Sequence, residues 1–255
     1  MLQFEGYTDV GRTRPINEDS FYISEYNREL EAAYVIVADG MGGHQAGEVA
    51  SSMAIMQISD VINQTFTADM SPSAIKDMLV QSVKKANALI YDKGQAEEGC
   101  WGMGTTVTMC FILGEKAFVA HVGDSRAYIL RQGELHQITV DHSLVQELLQ
   151  KGQITEEEAK HHPQKNVITR ALGTDTGVEI DLYEFTLHDG DVMLLCTDGL
   201  SNMLPDEVLA DMLQEGSGAL HIVAKELVAA ANEQGGIDNI TAVVLTKESG
   251  LGGKE

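Results

Sequence analysis

Apolar and polar positions follow two textures along this chain. Between residues 48 and 66, Ala50, Ala54, Ile58, Ile62 and Phe66 recur at four-residue steps with Met53 and Val61 beside them, which predicts a helix with one buried stripe. A second helix is predicted next: Ser71 is suited to the N-cap, Pro72 to the first turn, and Ile75, Leu79, Val83, Ala86 and Ile90 line one side. From Thr105 to Ile138 the texture shifts to short β-branched and aromatic runs, Thr106 to Ile112, Lys116 to Val122 and Arg126 to Leu130. Leu-Gly-Glu, Gly-Asp-Ser and Gln-Gly-Glu separate or follow them, the pattern of an antiparallel meander.

Residues 142–170 break the β texture. Helical pieces are expected at Leu144 to Gln150 and, after a Thr155 cap, at Glu156 to His162, so this stretch reads as an insertion over the sheet. Strands resume at Tyr183 to Leu187 and Asp191 to Cys196 around the turn His188-Asp189-Gly190. A last helix from about Ala219 to Gln234, stopped by Gly235 and Gly236, precedes a closing strand Ile240 to Thr246. Strand runs interrupted by paired amphipathic helices favour an α+β layered domain over a doubly wound parallel sheet. One domain over residues 1–246 is expected, with residues 247–255 a polar, disordered tail.

Charge narrows the functional classes. With 17 basic against 39 acidic residues the formal net charge is −22, which repels nucleic acid and anionic membrane surfaces alike. The three cysteines, Cys100, Cys110 and Cys196, include no CxxC pair and read as buried thiols. No basic leader followed by an apolar stretch opens the chain, and no apolar run nears the ~18 residues of a membrane span, so a cytoplasmic protein without membrane insertion is expected. A monomer is expected as well.

Against that background, four acidic sites stand out: Asn17-Glu18-Asp19, Asp39-Gly40-Met41-Gly42-Gly43-His44, Thr197-Asp198-Gly199 and Asp238-Asn239. Asp39 and Asp198 each end a strongly apolar run, Ala32 to Ala38 and Val192 to Cys196, as a buried strand delivers a carboxylate to the rim of a core. Carboxylates converging on one rim repel one another, so they retain protons or take up divalent cations. An Asp-Gly pair alone is weak evidence, because it is also a common hairpin turn. Asp189-Gly190 lies between two strand runs and is explained as such a turn; Asp39-Gly40 runs on towards a helix.

Three further segments, Arg14-Pro15-Ile16, Gly102-Met103-Gly104-Thr105-Thr106 and His121-Val122-Gly123-Asp124-Ser125-Arg126, interleave with these sites in a fixed order. Together the segments resemble the metal-dependent Ser/Thr protein phosphatases, the PPM or type 2C family, from Thr8 to about Thr246. The Asp-Gly-Met-Gly-Gly-His form and the stretch Asp141-His142-Ser143 to Asn166 are closest to the stand-alone bacterial members. The resemblance implies an α/β/β/α sandwich, two central antiparallel sheets flanked by helical pairs, and makes residues 142–170 a flap beside the cleft.

Carried onto this sequence, the resemblance implies that Asp39 bridges two Mn²⁺ or Mg²⁺ ions. The Gly40 carbonyl would bind one of them, and Asp198 and Asp238 the other. Glu18 and Asp19 would hold metal-bound water, Asn239 would orient Asp238, and Asp124 would hold a weaker third ion, its alternative being a tight turn after Gly123. A hydroxide between the paired ions would attack phosphorus in line, so Asp39, Asp198 and Asp238 are the expected catalytic carboxylates. Hard cations do select oxygen ligands of this kind. The planar fork of Arg14 suits two phosphoryl oxygens, the alternative being a surface pair with Asp9 or Glu18. His121 reads as a packed histidine. Met41 stands where many eukaryotic relatives have a histidine proposed as general acid, and it cannot donate a proton, which leaves His44, metal-bound water or solvent for that task.

The implied function is hydrolysis of phosphoserine and phosphothreonine in proteins, including a cognate Hanks-type kinase, in a bacterium. Two rivals stand beside it. A catalytically silent phosphatase-like regulatory or binding module would normally have lost some of the carboxylates, and a metal-dependent nuclease or pyrophosphatase would need a basic track that is not evident.

Overall fold

The computed structural model describes residues 1–43, 46–216 and 219–247. The strands are β1 (Leu2–Asp9), β2 (Asp19–Ile23), β3 (Ala32–Met41), β4 (Gly104–Thr105), β5 (Val107–Leu113), β6 (Lys116–Val122), β7 (Arg126–Arg131), β8 (Glu134–Gln137), β9 (Asp181–Thr186), β10 (Val192–Cys196) and β11 (Ile240–Lys247). The helices are α1 (Ala46–Thr65), α2 (Pro72–Ala96), α3 (Leu144–Gln150), α4 (Glu156–Lys160), α5 (Asp198–Ser201), α6 (Asp206–Glu215) and α7 (Leu220–Glu233).

Two antiparallel sheets face each other, one in the order β1-β11-β10-β7-β8, the other in the order β2-β3-β5-β6-β9 with β4 paired to the end of β3. Strand residues alternate between faces, and here both faces are covered, which is why β3, β5, β10 and β11 read as continuous apolar runs. Val35, Val37, Cys110 and Val119 point between the sheets, meeting Ala127, Met193, Leu195 and Val243. Tyr34, Ile36, Met109, Phe111 and Phe118 point outward, onto the stripes of α1 and α2: Ala50, Ala54, Ile58, Leu79, Val83 and Ile90. On the opposite outer face Tyr128, Leu194 and Val244 pack under Leu209 and Leu213 of α6 and Val223 and Leu227 of α7. The expected α/β/β/α sandwich is the architecture observed, with three buried layers.

The sequence reading fails in particular places. No meander runs through Gly123-Asp124-Ser125, because β6 pairs with β5 and β9 in one sheet whereas β7 pairs with β10 and β8 in the other. The segment is a crossover between layers. Asp189-Gly190 is a turn, with Gly190 at φ 86, but it too joins strands of different sheets rather than closing a hairpin. Asp39-Gly40 closes no hairpin, in keeping with the sequence: its partner β4, where Thr105 pairs with Gly40 and Gly104 with Met41, comes only after α2. Strands β1 and β2 and helix α6 were not expected. Lys247, expected in the tail, closes β11 opposite Leu2. The rest of that expected tail, and His44, lie outside the described residues.

The insertion holds α3 and α4 as expected, with Ser143 accepting from the Gln146 amide and a full capping box between Thr155 and Glu158. Its two ends meet at its base, where Ser143 and Ile168 form an isolated bridge.

Candidate active site

Five segments deliver carboxylates to one end of the sandwich. Asp39 lies near the end of β3, and Asp19 opposes it at the start of β2. Asp198 opens α5 directly after β10, Asp238 lies just before β11, and Asp124 sits in the crossover from β6 to β7. Their charges act on one another: Asp39 feels Asp19, Asp198, Asp124 and Asp238 together. Thus every carboxylate expected at the site is brought together, although Asp39 and Asp238 are separated by nearly the whole chain.

Close backbone packing makes this convergence possible. A Cβ on Gly40 would run into the carbonyls of Gly47 and Glu18, and one on Gly199 would run into that of Asn239. Asn239 ties the first acidic motif to β11: its Oδ1 accepts from the Glu18 amide at 2.8 Å, and its Nδ2 donates to the Val10 and Ile16 carbonyls at 2.9 Å each. It therefore positions Glu18 and its approach segment, and its own amide donates to Asp238 Oδ1 at 2.8 Å.

Hydroxyl residues absent from the expected site complete the support. Thr197 and Thr241 both donate to Asp19 Oδ2, at 2.8 and 2.7 Å. The Asp39 amide donates to Thr106 Oγ1 at 2.9 Å, and Thr106 Oγ1 lies 2.7 Å from Ser125 Oγ. Thr197 and Thr106 lay within the motifs already singled out, and Thr241 follows Asp238-Asn239 closely. Arg126, by contrast, forks onto Asp141 (Nε 3.0 Å to each oxygen, Nη2 2.7 Å to Oδ2), a pairing no local signal announces.

Electrostatics shows what such crowding does. Burial, then the neighbouring Asp19, Asp198, Asp124 and Asp238, hold the Asp39 carboxyl well above its ordinary range. Burial and Asp238 push Asp198 up to about 6, and burial raises Asp19 to about 7 despite the Thr241 and Thr197 hydroxyls. Asp124 is pushed up to about 8 by burial and then by Asp198 and Asp141. Glu18 is raised by burial even though the Gly47 amide donates to its Oε1 at 3.1 Å.

Arg14 is the cation at the rim. Its Nη2 donates to Asp238 Oδ2 at 2.8 Å, not to Asp9 or Glu18, and its side chain keeps 47% of its surface exposed. Burial opposes its charge, but Asp238, Glu18 and Asp39 outweigh that cost and raise its pKa. His121 is fully buried, with Nδ1 2.9 Å from Thr108 Oγ1 and Nε2 3.2 Å from the Val140 carbonyl. It is a packed, neutral histidine, its pKa lowered to about 3 by burial. Met41 ends β3 beside Gly104.

These residues fit divalent cations. Asp19 Oδ1 and Asp124 Oδ1 are buried without a hydrogen-bond partner, and the donors are oxygens throughout, the choice of hard ions. Asp39 and Asp198 remain partly open to solvent. Among the described residues no three His, Cys, Asp or Glu side chains close into a cage by themselves. Ions held here would complete their shells with water and a backbone carbonyl such as that of Gly40, as ions of this class commonly do. Beside Asp124 and Asp198 opens a cleft of about 780 Å³ between the insertion and the segment from Ser201 to Glu207.

Comparison with known proteins agrees with this geometry. Residues 12–231 match the family model of protein phosphatase 2C. The chain is 40% identical over 246 residues to the serine/threonine phosphatase stp of Listeria welshimeri, covering 96% of each protein. The Streptococcus agalactiae serine/threonine phosphatase superposes with a TM-score of 0.89 at 40% identity, over 97% of this chain and 100% of that one. The catalytic domain of the phosphatase PstP in complex with 2 manganese ions superposes at 0.84 with 36% identity, over 97% of this chain and 99% of that one. With the fold, the acidic rim and these relatives in agreement, the chain belongs to the metal-dependent protein phosphatase 2C family, among its bacterial serine/threonine phosphatases.

Proposed function

We propose that this protein hydrolyses phosphoserine and phosphothreonine in other proteins, with Asp39, the Gly40 carbonyl, Asp198 and Asp238 holding two Mn²⁺ or Mg²⁺ ions and Asp124 a weaker third. The observation that carries this reading is the convergence of five mutually repelling carboxylates on one rim, four of them, Asp19, Asp39, Asp124 and Asp198, held above their ordinary pKa. Divalent ions at such a rim supply charge that stabilises a phosphoryl transition state and acidify water near neutral pH.

The chain's own residues divide the remaining work. Glu18 and the free Asp19 Oδ1 accept hydrogen bonds from site water, and Asp19 is steadied by Thr197 and Thr241. Arg14 is poised at the rim on Asp238, and with Asp238 engaged as a metal ligand its guanidinium fork would be free for two oxygens of the substrate phosphoryl group. Asn239 keeps the segment bearing Glu18 in register with Asp238. Met41 offers no proton to the leaving alkoxide.

The substrates of this reading are phosphorylated proteins, a cognate Hanks-type kinase among them, met by a cytoplasmic monomer. Among the described residues no helix is long and apolar enough to cross a membrane. The test is release of phosphate from a phosphothreonine peptide by the purified protein with Mn²⁺ and with EDTA. Release in Mn²⁺ and none in EDTA is expected. Its absence from folded, Mn²⁺-binding protein would favour a silent binding module.

A further inference from the structure

Beyond its own backbone amide, the Asp124 carboxylate has little to fix its direction. It is 7% exposed, and its Oδ1 has no hydrogen-bond partner. Its orientation therefore depends on the backbone of Gly123-Asp124-Ser125. That crossover is pinned from two sides. From the sheet, Thr106 Oγ1 lies 2.7 Å from Ser125 Oγ, and Thr108 Oγ1 donates to the Ser125 carbonyl at 3.0 Å. From outside the sheet the contact is His142, at the base of the insertion. The Gly123 amide donates to His142 Nδ1 at 3.0 Å, and the His142 amide donates back to the Gly123 carbonyl at 2.7 Å.

The imidazole is held in one orientation. Because Nδ1 accepts from Gly123, the ring proton of the neutral form sits on Nε2, which faces Asp181 Oδ2 at 3.3 Å. Arg170 Nη1 donates to Asp181 Oδ1 at 2.7 Å and so braces the carboxylate; its 2.9 Å approach to Nε2 is a contact between two donors and not a hydrogen bond in this tautomer. His121 lies against the ring with centroids 4.8 Å apart. Both strands of the insertion's base also close on this residue, since the Thr169 amide donates to the His142 carbonyl at 2.8 Å and the next residue, Ser143, bridges Ile168. Gly123 has φ 116, and a Cβ there would meet Thr106 Cγ2 at 2.5 Å, so the crossover follows a path open only to glycine and needs external ties to keep it.

We propose that His142 is a positioning residue for Asp124: through the Gly123 amide it fixes where the Asp124 carboxylate points, and it joins the base of the insertion to the active-site rim as one unit. The inference rests on the assignment of Asp124 to a cation under the proposed function. Residues that orient ligands of a metal site commonly change affinity or activity by about 10- to 100-fold when replaced.

Three variants separate positioning from mere packing. In His142→Asn the side-chain Oδ1, bonded to Cγ as Nδ1 is, still accepts from Gly123. His142→Gln carries its polar atoms one bond farther out, towards Asp181, and His142→Ala has neither. In metal-free protein, hydrogen exchange at the Gly123 amide should remain slow in wild type and His142→Asn and become clearly faster in the Gln and Ala variants. In Mn²⁺ calorimetry the weakest site should weaken by about tenfold or more in those same two variants, while the tighter sites hold. Phosphopeptide kcat should fall with that site, with KM little changed. The inference is overturned if His142→Asn loses Gly123 protection as fully as His142→Ala, if His142→Gln behaves as wild type, or if Gly123 protection is lost with the weakest Mn²⁺ site unaltered. Exchange is read without metal or substrate, so failure of the phosphatase reading, seen as wild-type protein without Mn²⁺-dependent hydrolysis, is told apart from failure of the positioning role.

Discussion

Replacing Asp124 by Asn in the metal-free protein tests the electrostatic account of the rim. Asn approximates the protonated carboxyl in shape and cannot ionise. In the folded state Asp124 is pushed up to about 8 from an ordinary 3.8, chiefly by burial. Between those values the fold retains a proton that the unfolded chain has released, so wild-type stability from this group is highest below about 4 and falls as pH rises towards 8. One such proton changes stability by about 1.4 kcal/mol per pH unit, hence by up to about 3 kcal/mol from pH 5 to pH 7. For a domain of this size that corresponds to roughly 5 to 10 °C in Tm. The assay is thermal unfolding in EDTA at both pH values for wild type and Asp124→Asn. Wild type should lose more stability than the variant as pH rises, and Mn²⁺ should restore it most at the higher pH. A difference between the two proteins that does not change with pH would refute the reasoning, because it would mean that Asp124 ionises in the fold as readily as outside it.

Other expectations follow from single side chains. Asp198→Ala should abolish phosphopeptide hydrolysis, a loss of at least about 10³-fold, while circular dichroism shows a folded protein; near-normal turnover at saturating Mn²⁺ would remove Asp198 from the site. Arg14→Ala should raise KM for phosphopeptides about tenfold with a smaller change in kcat, since a rim cation docks the substrate; steady-state kinetics showing the reverse split would assign it to the chemical step. Met41→His should help phosphopeptides more than aryl phosphates, whose phenolates leave without a proton; equal effects on the two substrates would count against a missing proton donor.

What the sequence disclosed is what strong periodicity and local chemistry encode. The stripes of α1 and α2 were legible because Ala50, Ala54, Ile58, Leu79 and Val83 are all buried against one sheet. Strands β1 and β2 were not, because edge position leaves Gln3 to Asp9 and Ser20 to Ile23 only half-buried and their pattern mixed. The crossovers at Gly123-Asp124 and Asp189-Gly190 carry the same turn residues as a hairpin; whether the next strand joins the same sheet or the facing one is decided by inter-sheet packing, which no local window contains. The acidic residues could be grouped by their motifs, but their partners could not. Arg14 meets Asp238, and Thr241 meets Asp19, across almost the full chain. His142 stood in a recognised motif, yet its grip on Gly123 depends on how the insertion folds back over the crossover.

The central claim, that Asp39, Gly40, Asp198 and Asp238 hold a pair of divalent ions, is tested most directly by a crystal structure of the Mn²⁺-loaded protein with anomalous scattering measured at the manganese edge. The account predicts two strong peaks about 3.5 to 4 Å apart, with Asp39 between them, the Gly40 carbonyl on one, and Asp198 and Asp238 on the other. Peaks away from these oxygens, or a single ion with Arg14 still bonded to Asp238, would contradict it.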